Sequence, residues 1–330
     1  MDSASIPSQL TDTFGRRFEY LRLSITDVCN FKCQYCLPDG YQCDTSREFL
    51  SLDEITVITQ AFAMMGTKKV RITGGEPSLR GDLIDIIMAV SNTPGIQQVA
   101  ITTNGFKLDK QISAWKKAGL THLNVSLDSL NPEQFQQITG DGRFQNILDG
   151  IEQAIALGLV VKVNAVLLKT FCYDQLTSFL NWIKNKNLSL RFIELMQTGD
   201  NLAFFNKQHM SGQGIKDQLL RVGWQLKTKS KYAGPAQVFW HPEYNGNIGL
   251  IMPYSKDFCS DCNRLRVSAT GSLHLCLFSE HGIDLHTSLK YKDPTLLAAQ
   301  VFTHLGDKKE THALLQGKTG ATKHLAMLGG

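Results

Sequence analysis

Short β-branched runs alternate along much of the chain with longer segments whose apolar residues recur every three or four positions. The runs Tyr20–Ile25, Lys69–Thr73, Gln98–Thr102, His122–Leu127, Val160–Val166 and Leu190–Leu195 read as strands. Ser51-Leu52-Asp53-Glu54 has the form of a capping box. Ile55, Ile58, Phe62 and Met65 follow it at helical spacing, and Gly66 supplies the stop. Leu83–Val90, Leu108–Ala118, Phe144–Leu157 and Tyr173–Lys184 read as helices in the same way. Alternating strands and helices predict parallel strands joined by right-handed crossovers. The six units found fall short of the eight that close a full barrel, so the expected class is α/β with a partial (β/α)6 TIM-like barrel.

After about Gln197 the rhythm changes. Asn201–Gly214 is polar and reads as a loop, whereas Gly223–Ser230, Ala236–His241 and Asn247–Ile251 read as short antiparallel strands between Pro and Asn-Gly turns. Asp307–Gly330 is rich in Lys, Thr, Gly and His and reads as a flexible tail. The predicted division is therefore 1–196 for the partial barrel, 197–306 for a C-terminal β region and 307–330 for a tail ending in Gly-Gly.

Composition narrows the partners. The hydrophobic content of 42% supports a sizeable core over 330 residues. A formal net charge of +4 fits an anionic small molecule better than nucleic acid, which calls for a dense basic stripe. The start of the chain lacks the pattern of a signal peptide, and no apolar stretch approaches the eighteen or so residues of a membrane span. The expectation is a cytoplasmic protein with no membrane partner. In a reducing interior, clustered cysteines read as metal ligands rather than disulfides.

Cys29, Cys33 and Cys36 form a C-x3-C-x2-C loop directly after the first strand, with Tyr35 before the last cysteine. Three thiolates so close can wrap a cubic iron–sulfur cluster, which normally takes four cysteines; with three, one iron stays open to a non-protein ligand. A zinc loop would call for a fourth Cys or His nearby, and none is there. The spacing resembles the radical SAM superfamily, in which S-adenosylmethionine (SAM) takes the open iron. Thr73-Gly74-Gly75-Glu76-Pro77, after the second strand, resembles that superfamily's GGEP motif, with Glu76 supporting the site. Thr102-Thr103-Asn104-Gly105 and Ser126-Leu127-Asp128 end the next two strands and offer hydroxyls and a carboxylate, or equally helix caps.

A second trio, Cys259, Cys262 and Cys276, is compatible with zinc completed by a distant His and with a second [4Fe–4S] cluster. Between its members, Arg264 and Arg266 alternate as on a strand and could project two guanidiniums towards an anion.

Together, the segments Arg22–Cys29, Arg71–Pro77, Asn124–Ser129, Arg191–Met196 and Phe258–Arg266, with Gly329-Gly330, resemble the GTP 3′,8-cyclase family of molybdenum cofactor biosynthesis. The resemblance implies a barrel of the radical SAM type whose C-terminal antiparallel β region carries a second cluster. It implies that Cys29, Cys33 and Cys36 hold the [4Fe–4S] cluster that binds SAM, and that Tyr35, Gly75, Ser126 and Met196 contact SAM. Cys259, Cys262 and Cys276 would hold a second [4Fe–4S] cluster that meets the guanine of GTP. Arg22, Arg71, Thr102, Lys162, Arg264 and Arg266 would contact GTP, with Lys69 and Arg191 as additions to that basic set.

The implied reaction removes hydrogen from C3′ of GTP and joins C3′ to C8, giving (8S)-3′,8-cyclo-7,8-dihydroguanosine 5′-triphosphate. A flavodoxin- or ferredoxin-like electron donor is implied, as is transfer of the product to cyclic pyranopterin monophosphate synthase. The implied assembly is a monomer or homodimer, and the tail is expected to reach into the active site. Val28 and Ser78 depart from the family pattern without removing a ligand. Cys43 and Cys172 read as ordinary thiols. The other readings are a peptide-modifying radical SAM enzyme with an auxiliary cluster and a non-catalytic metal-binding relative.

Overall fold

Alternation along the strands gives the sheet two unlike faces. In β1 (Tyr20–Ser24), Leu21 and Leu23 are fully buried in the apolar core, while Tyr20 and Arg22 line a cavity on the opposite face. The same division holds in β2 (Lys69–Thr73), β5 (Val160–Leu167) and β6 (Leu188–Glu194). There Val70, Ile72, Val161, Val163, Leu190 and Phe192 face the core, and Lys69, Arg71, Lys162 and Arg191 face the cavity. Period-two alternation thus makes a helix-covered apolar face and a polar interior from one set of strands.

The computed structural model describes residues 9–42, 47–170, 173–228 and 234–329. Strands β1, β2, β3 (Gln98–Thr103), β4 (His122–Ser126), β5 and β6 are parallel and adjacent in chain order. The crossovers carry α1 (Leu52–Met64), α2 (Leu83–Ser91), α3 (Leu108–Lys117), α4 (Pro132–Thr139), α5 (Phe144–Ala156) and α6 (Tyr173–Ile183). Helix α1 opens with the expected capping box: Ser51 Oγ accepts from Glu54 N and Glu54 returns the bond to Ser51 N. Such a cap is worth about 1 kcal/mol.

The C-terminal half flanks both edges of this sheet. On one side β10 (Arg264–Val267) runs parallel to β1, followed by the antiparallel β11 (Ser272–His274) and β12 (Ile283–Asp284). On the other, β9 (Asn247–Ile251) runs parallel to β6, followed by the antiparallel β8 (Gln237–Trp240) and β7 (Gln225–Leu226). Among the described residues the result is one open mixed sheet of 12 strands, a partial barrel with antiparallel C-terminal strands.

Two expectations change. Asn201–Gly214 is not a loop throughout: it holds α7 (Leu202–Gln208) and the start of α8 (Gln213–Arg221). Helix α7 buries no residue fully, so it carries no apolar stripe to read; the Phe205 ring stacks on His209 and Tyr254 instead. Residues 307–329, expected as a flexible tail, lie against the barrel after α9 (His286–Leu289) and α10 (Pro294–Leu305), with Lys308, Leu314, Thr322, Ala326 and Leu328 buried. Their backbone is paired: Gly199 N donates to Thr322 O (2.9 Å), Asp200 N to Lys323 O (3.0 Å) and Ala321 N to Ser279 O (2.9 Å). Polar composition conceals such pairing because backbone groups make it. Cys43, Cys172 and the last residues of the predicted strand Gly223–Ser230 lie outside the described residues.

Candidate active site

The loop after β1 and the turn after β2 approach each other as closely as backbone allows. Gly75 N donates to Thr26 O (2.9 Å) and Glu76 N to Val28 O (2.8 Å). A Cβ on Gly74 would lie 2.2 Å from Thr26 O, and one on Gly75 would lie 2.3 Å from Val28 O. Only glycine permits this contact. Glu76 is fully buried and ties the turn to β3: Oε1 accepts from Ser78 N (2.9 Å) and Thr103 Oγ1 (2.8 Å), and Oε2 from Asn104 N (2.6 Å). Burial pushes its carboxyl up, and these donors oppose that rise.

Cys29, Cys33, Cys36, Tyr35, Gly75, Ser126 and Met196 line one cavity of about 140 Å³ at the C-terminal ends of the parallel strands. Thr102, expected on the nucleotide, also lines this cavity, and its Oγ1 is buried without a partner. Tyr35 Oη donates to Asp128 Oδ2 (2.8 Å), and Val166 N donates to Asp128 Oδ1 (2.8 Å). Burial raises the Asp128 carboxyl to about 6 against those two donors. The thiols are poor acids here: burial raises Cys29 and Cys33 and pushes Cys36 up to about 12. They would lose their protons only to a metal centre, as thiolate ligands do.

A second cavity, of about 410 Å³, adjoins the first. Arg22, Lys69, Arg71, Lys162, Arg191, Arg264 and Arg266 line it together with Cys259, Cys262 and Cys276. Strand register brings them together: Arg22 pairs with Arg71 on one side and Arg266 on the other, and Tyr20 pairs with Lys69 and Arg264. Among the described residues no ion pair joins any of these cations to a carboxylate. Burial, with repulsion from neighbouring cations, lowers Lys162 to about 6 and Lys69 to about 8, the latter partly offset by Tyr20. Arginines stay charged, so the cavity is a buried cationic site suited to an anion.

Sequence reading missed Tyr20, although it sits two residues before Arg22 on the same strand face. Its Oη is buried without a partner, and its ring lies 5.4 Å from Lys69 Nζ and 5.4 Å from the Arg71 guanidinium. Burial raises the phenol, but Arg71, Arg22, Lys69 and Arg264 outweigh it and bring it down to about 7.

The second cysteine trio sits in that field. Burial raises the Cys262 thiol, yet Arg264 and Lys308 bring it down to about 7. Arg16, also missed, holds this loop: it pairs with Asp12 (2.6 Å) and donates to the carbonyls of Cys259 (3.2 Å) and Glu310 (2.6 Å). His312 lines the cavity, but its ring is engaged: Nε2 meets Pro253 O (3.0 Å) and Nδ1 accepts from Leu314 N (3.3 Å). Among the described residues no three His, Cys, Asp or Glu converge closely enough to grip a single ion. Each trio instead lines a cavity with three soft donors, a set that fits a multi-iron cluster better than tetrahedral zinc.

The C-terminal segment closes the arrangement. Leu325 and Ala326 line the first cavity, and their backbone N–H groups oppose the rise that burial imposes on the Cys36 thiol. Gly329, at φ +63°, packs on Thr73.

Two family models match the chain: the Radical SAM superfamily over residues 23–183 and Molybdenum Cofactor Synthesis C over residues 188–314. The GTP 3′,8-cyclase of Vibrio parahaemolyticus is 55% identical over 334 residues, covering 100% of both chains. That of Shewanella denitrificans is 56% identical over 325 residues, covering 98% of this chain and 96% of the relative. Among solved structures, Streptococcus suis SuiB bound to S-adenosylmethionine has a TM-score of 0.58 at 16% identity, covering 86% of this chain and 67% of that one, a likeness of fold.

Proposed function

The chain belongs to the GTP 3′,8-cyclase family, and we propose on that premise that its cationic cavity receives GTP while the neighbouring thiol-lined cavity receives SAM. The protein is a radical SAM enzyme of molybdenum cofactor biosynthesis that converts GTP to (8S)-3′,8-cyclo-7,8-dihydroguanosine 5′-triphosphate. One observation carries the assignment of the cavities: they adjoin across a wall of Asn164, Ile193 and Met196, with buried cations on one side that pair with no carboxylate among the described residues.

When bound, the first cluster and SAM supply the 5′-deoxyadenosyl radical that takes hydrogen from C3′. Everything else falls to the chain. Arg22, Arg71, Arg264 and Arg266 present forked donors suited to phosphate oxygens. Lys162, depressed to about 6 in the free cavity, regains its proton beside a triphosphate. Tyr35, Gly75, Ser126 and Met196 shape the SAM side. Thr102 stands on that side too, so it would meet GTP at the end nearest SAM. Leu325 and Ala326 cover the same cavity and keep water from it.

The second trio holds a second [4Fe–4S] cluster in this reading. The engaged ring of His312, which removes the nearby candidate for a fourth zinc ligand, supports it. A flavodoxin- or ferredoxin-like protein donates the electron, and the product passes to cyclic pyranopterin monophosphate synthase. Clustered reduced thiols fit the cytoplasm, and no helix among the described residues is long and apolar enough to cross a membrane.

The test is anaerobic reconstitution with iron and sulfide, then incubation with GTP, SAM and dithionite and mass spectrometry of the products. 5′-Deoxyadenosine with an isomer of GTP is expected, and Arg266→Ala should lose the isomer. 5′-Deoxyadenosine beside unchanged GTP would overturn the substrate.

A further inference from the structure

We propose that Asn164 is a substrate-positioning residue whose carboxamide accepts a hydrogen bond from a ribose hydroxyl of the nucleotide at the boundary between the two cavities. The proposal rests on the nucleotide reading given above.

Three residues line both cavities: Asn164, Ile193 and Met196. Of these, Asn164 alone has a strong hydrogen-bonding side chain. Its Oδ1 is buried and has no partner. A buried acceptor needs a donor from outside the chain when the chain supplies none, and Asn164 stands where both cavities could bring one. The backbone around it is fixed on both sides: Asn164 pairs with Ser126 on β4 and Arg191 on β6, and its carbonyl accepts from Leu127 N (2.8 Å). Arg191 is the adjacent cation, yet it does not satisfy Oδ1. The acceptor is therefore presented on a rigid strand at the wall that a transferred hydrogen must cross.

The chemistry of that wall selects the donor. Ionised phosphate oxygens accept and cannot supply the bond. Ribose hydroxyls can: one sits on the carbon that loses hydrogen and the other on its neighbour, whereas the guanine N–H donors lie towards the second cysteine trio in the reading above. SAM also carries a ribose, so the test must separate the two sources. A rigid acceptor on the substrate ribose would fix which carbon faces the SAM cavity, and a small misplacement there is costly.

The reconstituted enzyme is titrated anaerobically, without reductant, with GTP, 2′-deoxy-GTP, 3′-deoxy-GTP and SAM. In the wild type, at least one deoxy analogue should bind on the order of fivefold to tenfold more weakly than GTP, the size of one hydrogen bond. In Asn164→Leu that gap should close while SAM affinity holds. Asn164→Asp keeps an acceptor and should keep the gap, which controls for a folding defect in the leucine variant. Under turnover, the ratio of GTP isomer to 5′-deoxyadenosine should fall about fivefold or more in Asn164→Leu. A gap that persists in Asn164→Leu, or is missing in the wild type, overturns the proposal. A loss of SAM affinity with the nucleotide gap unchanged overturns it in favour of the SAM ribose. Failure of the wild type to bind GTP overturns the nucleotide reading itself, and this proposal with it.

Discussion

Arg22 Nη1 donates a 3.0 Å hydrogen bond to the carbonyl of Gly329, which lies 307 positions further along the chain. An expected triphosphate contact is thereby joined to the segment that covers the thiol-lined cavity. A Cβ at Gly329 would lie 2.2 Å from Thr73 Cγ2, and the φ of +63° already disfavours a side chain. Gly329→Ala should dislodge the segment, expose it to limited proteolysis and lower turnover on the order of a hundredfold. Unchanged proteolysis and turnover would show that the contact is dispensable.

Gly75→Ala should cost cofactor without touching a ligand. The added carbon would meet Val28 O at 2.3 Å and Asp27 O at 2.5 Å, so the loop bearing Cys29 must shift. Reconstituted iron and SAM affinity should both fall, read by iron analysis and equilibrium binding. Wild-type values for both would refute the account of the glycine turn.

Removing one cysteine from each trio should separate the two proposed metal sites. The wild type should carry about eight irons, and Cys33→Ala and Cys262→Ala should each fall towards about four. Zinc in place of iron in the wild type, lost only from Cys262→Ala, would mean that the second site is a zinc site.

Nucleotide binding should take up protons. Lys162 sits at about 6 and Lys69 at about 8 in the free cavity, and a triphosphate favours the charged form of both. At pH 7.5 uptake should exceed about one proton, because Tyr20 at about 7 takes up protons beside the lysines, and affinity should decline as pH rises from about 6. The same depression affects the free protein. Between about pH 6 and the unfolded lysine value of about 10.4, the native state binds fewer protons than the unfolded chain. Lys162 therefore contributes a stability that rises with pH across that window and a full penalty below it. Calorimetry in two buffers of different ionisation enthalpy measures the uptake, and Lys162→Gln should lower it by about one proton. Net proton release would contradict the scheme.

Local signals made much of this legible. The six strand–helix units follow from periodicity, and the Ser51–Glu54 cap from four letters. Arg264 and Arg266 reached one cavity because alternation on a strand is a local rule. The same rule, applied two residues before Arg22 and two after Lys162, would have found Tyr20 and Asn164. What stayed hidden depends on distant partners. Arg16 reads as one more surface cation until it meets the Cys259 and Glu310 carbonyls. Residues 307–329 read as a tail because backbone pairing to Gly199, Asp200 and Ser279 leaves no mark on composition. Helix α7, with no fully buried face, offered no period to detect.

The placement of β10 beside β1 and of β9 beside β6 bears on how the protein comes into being. Until the C-terminal half is made, the parallel sheet has two bare edges, each able to pair with another chain. Joining β1 to β10 then requires closing a loop that spans most of the sequence, which is slow. A fragment ending before β9 would hold all three cysteines of the first trio and still be a poor subject for study. It should accumulate as aggregate, and a split protein should recover only when both halves are synthesised together.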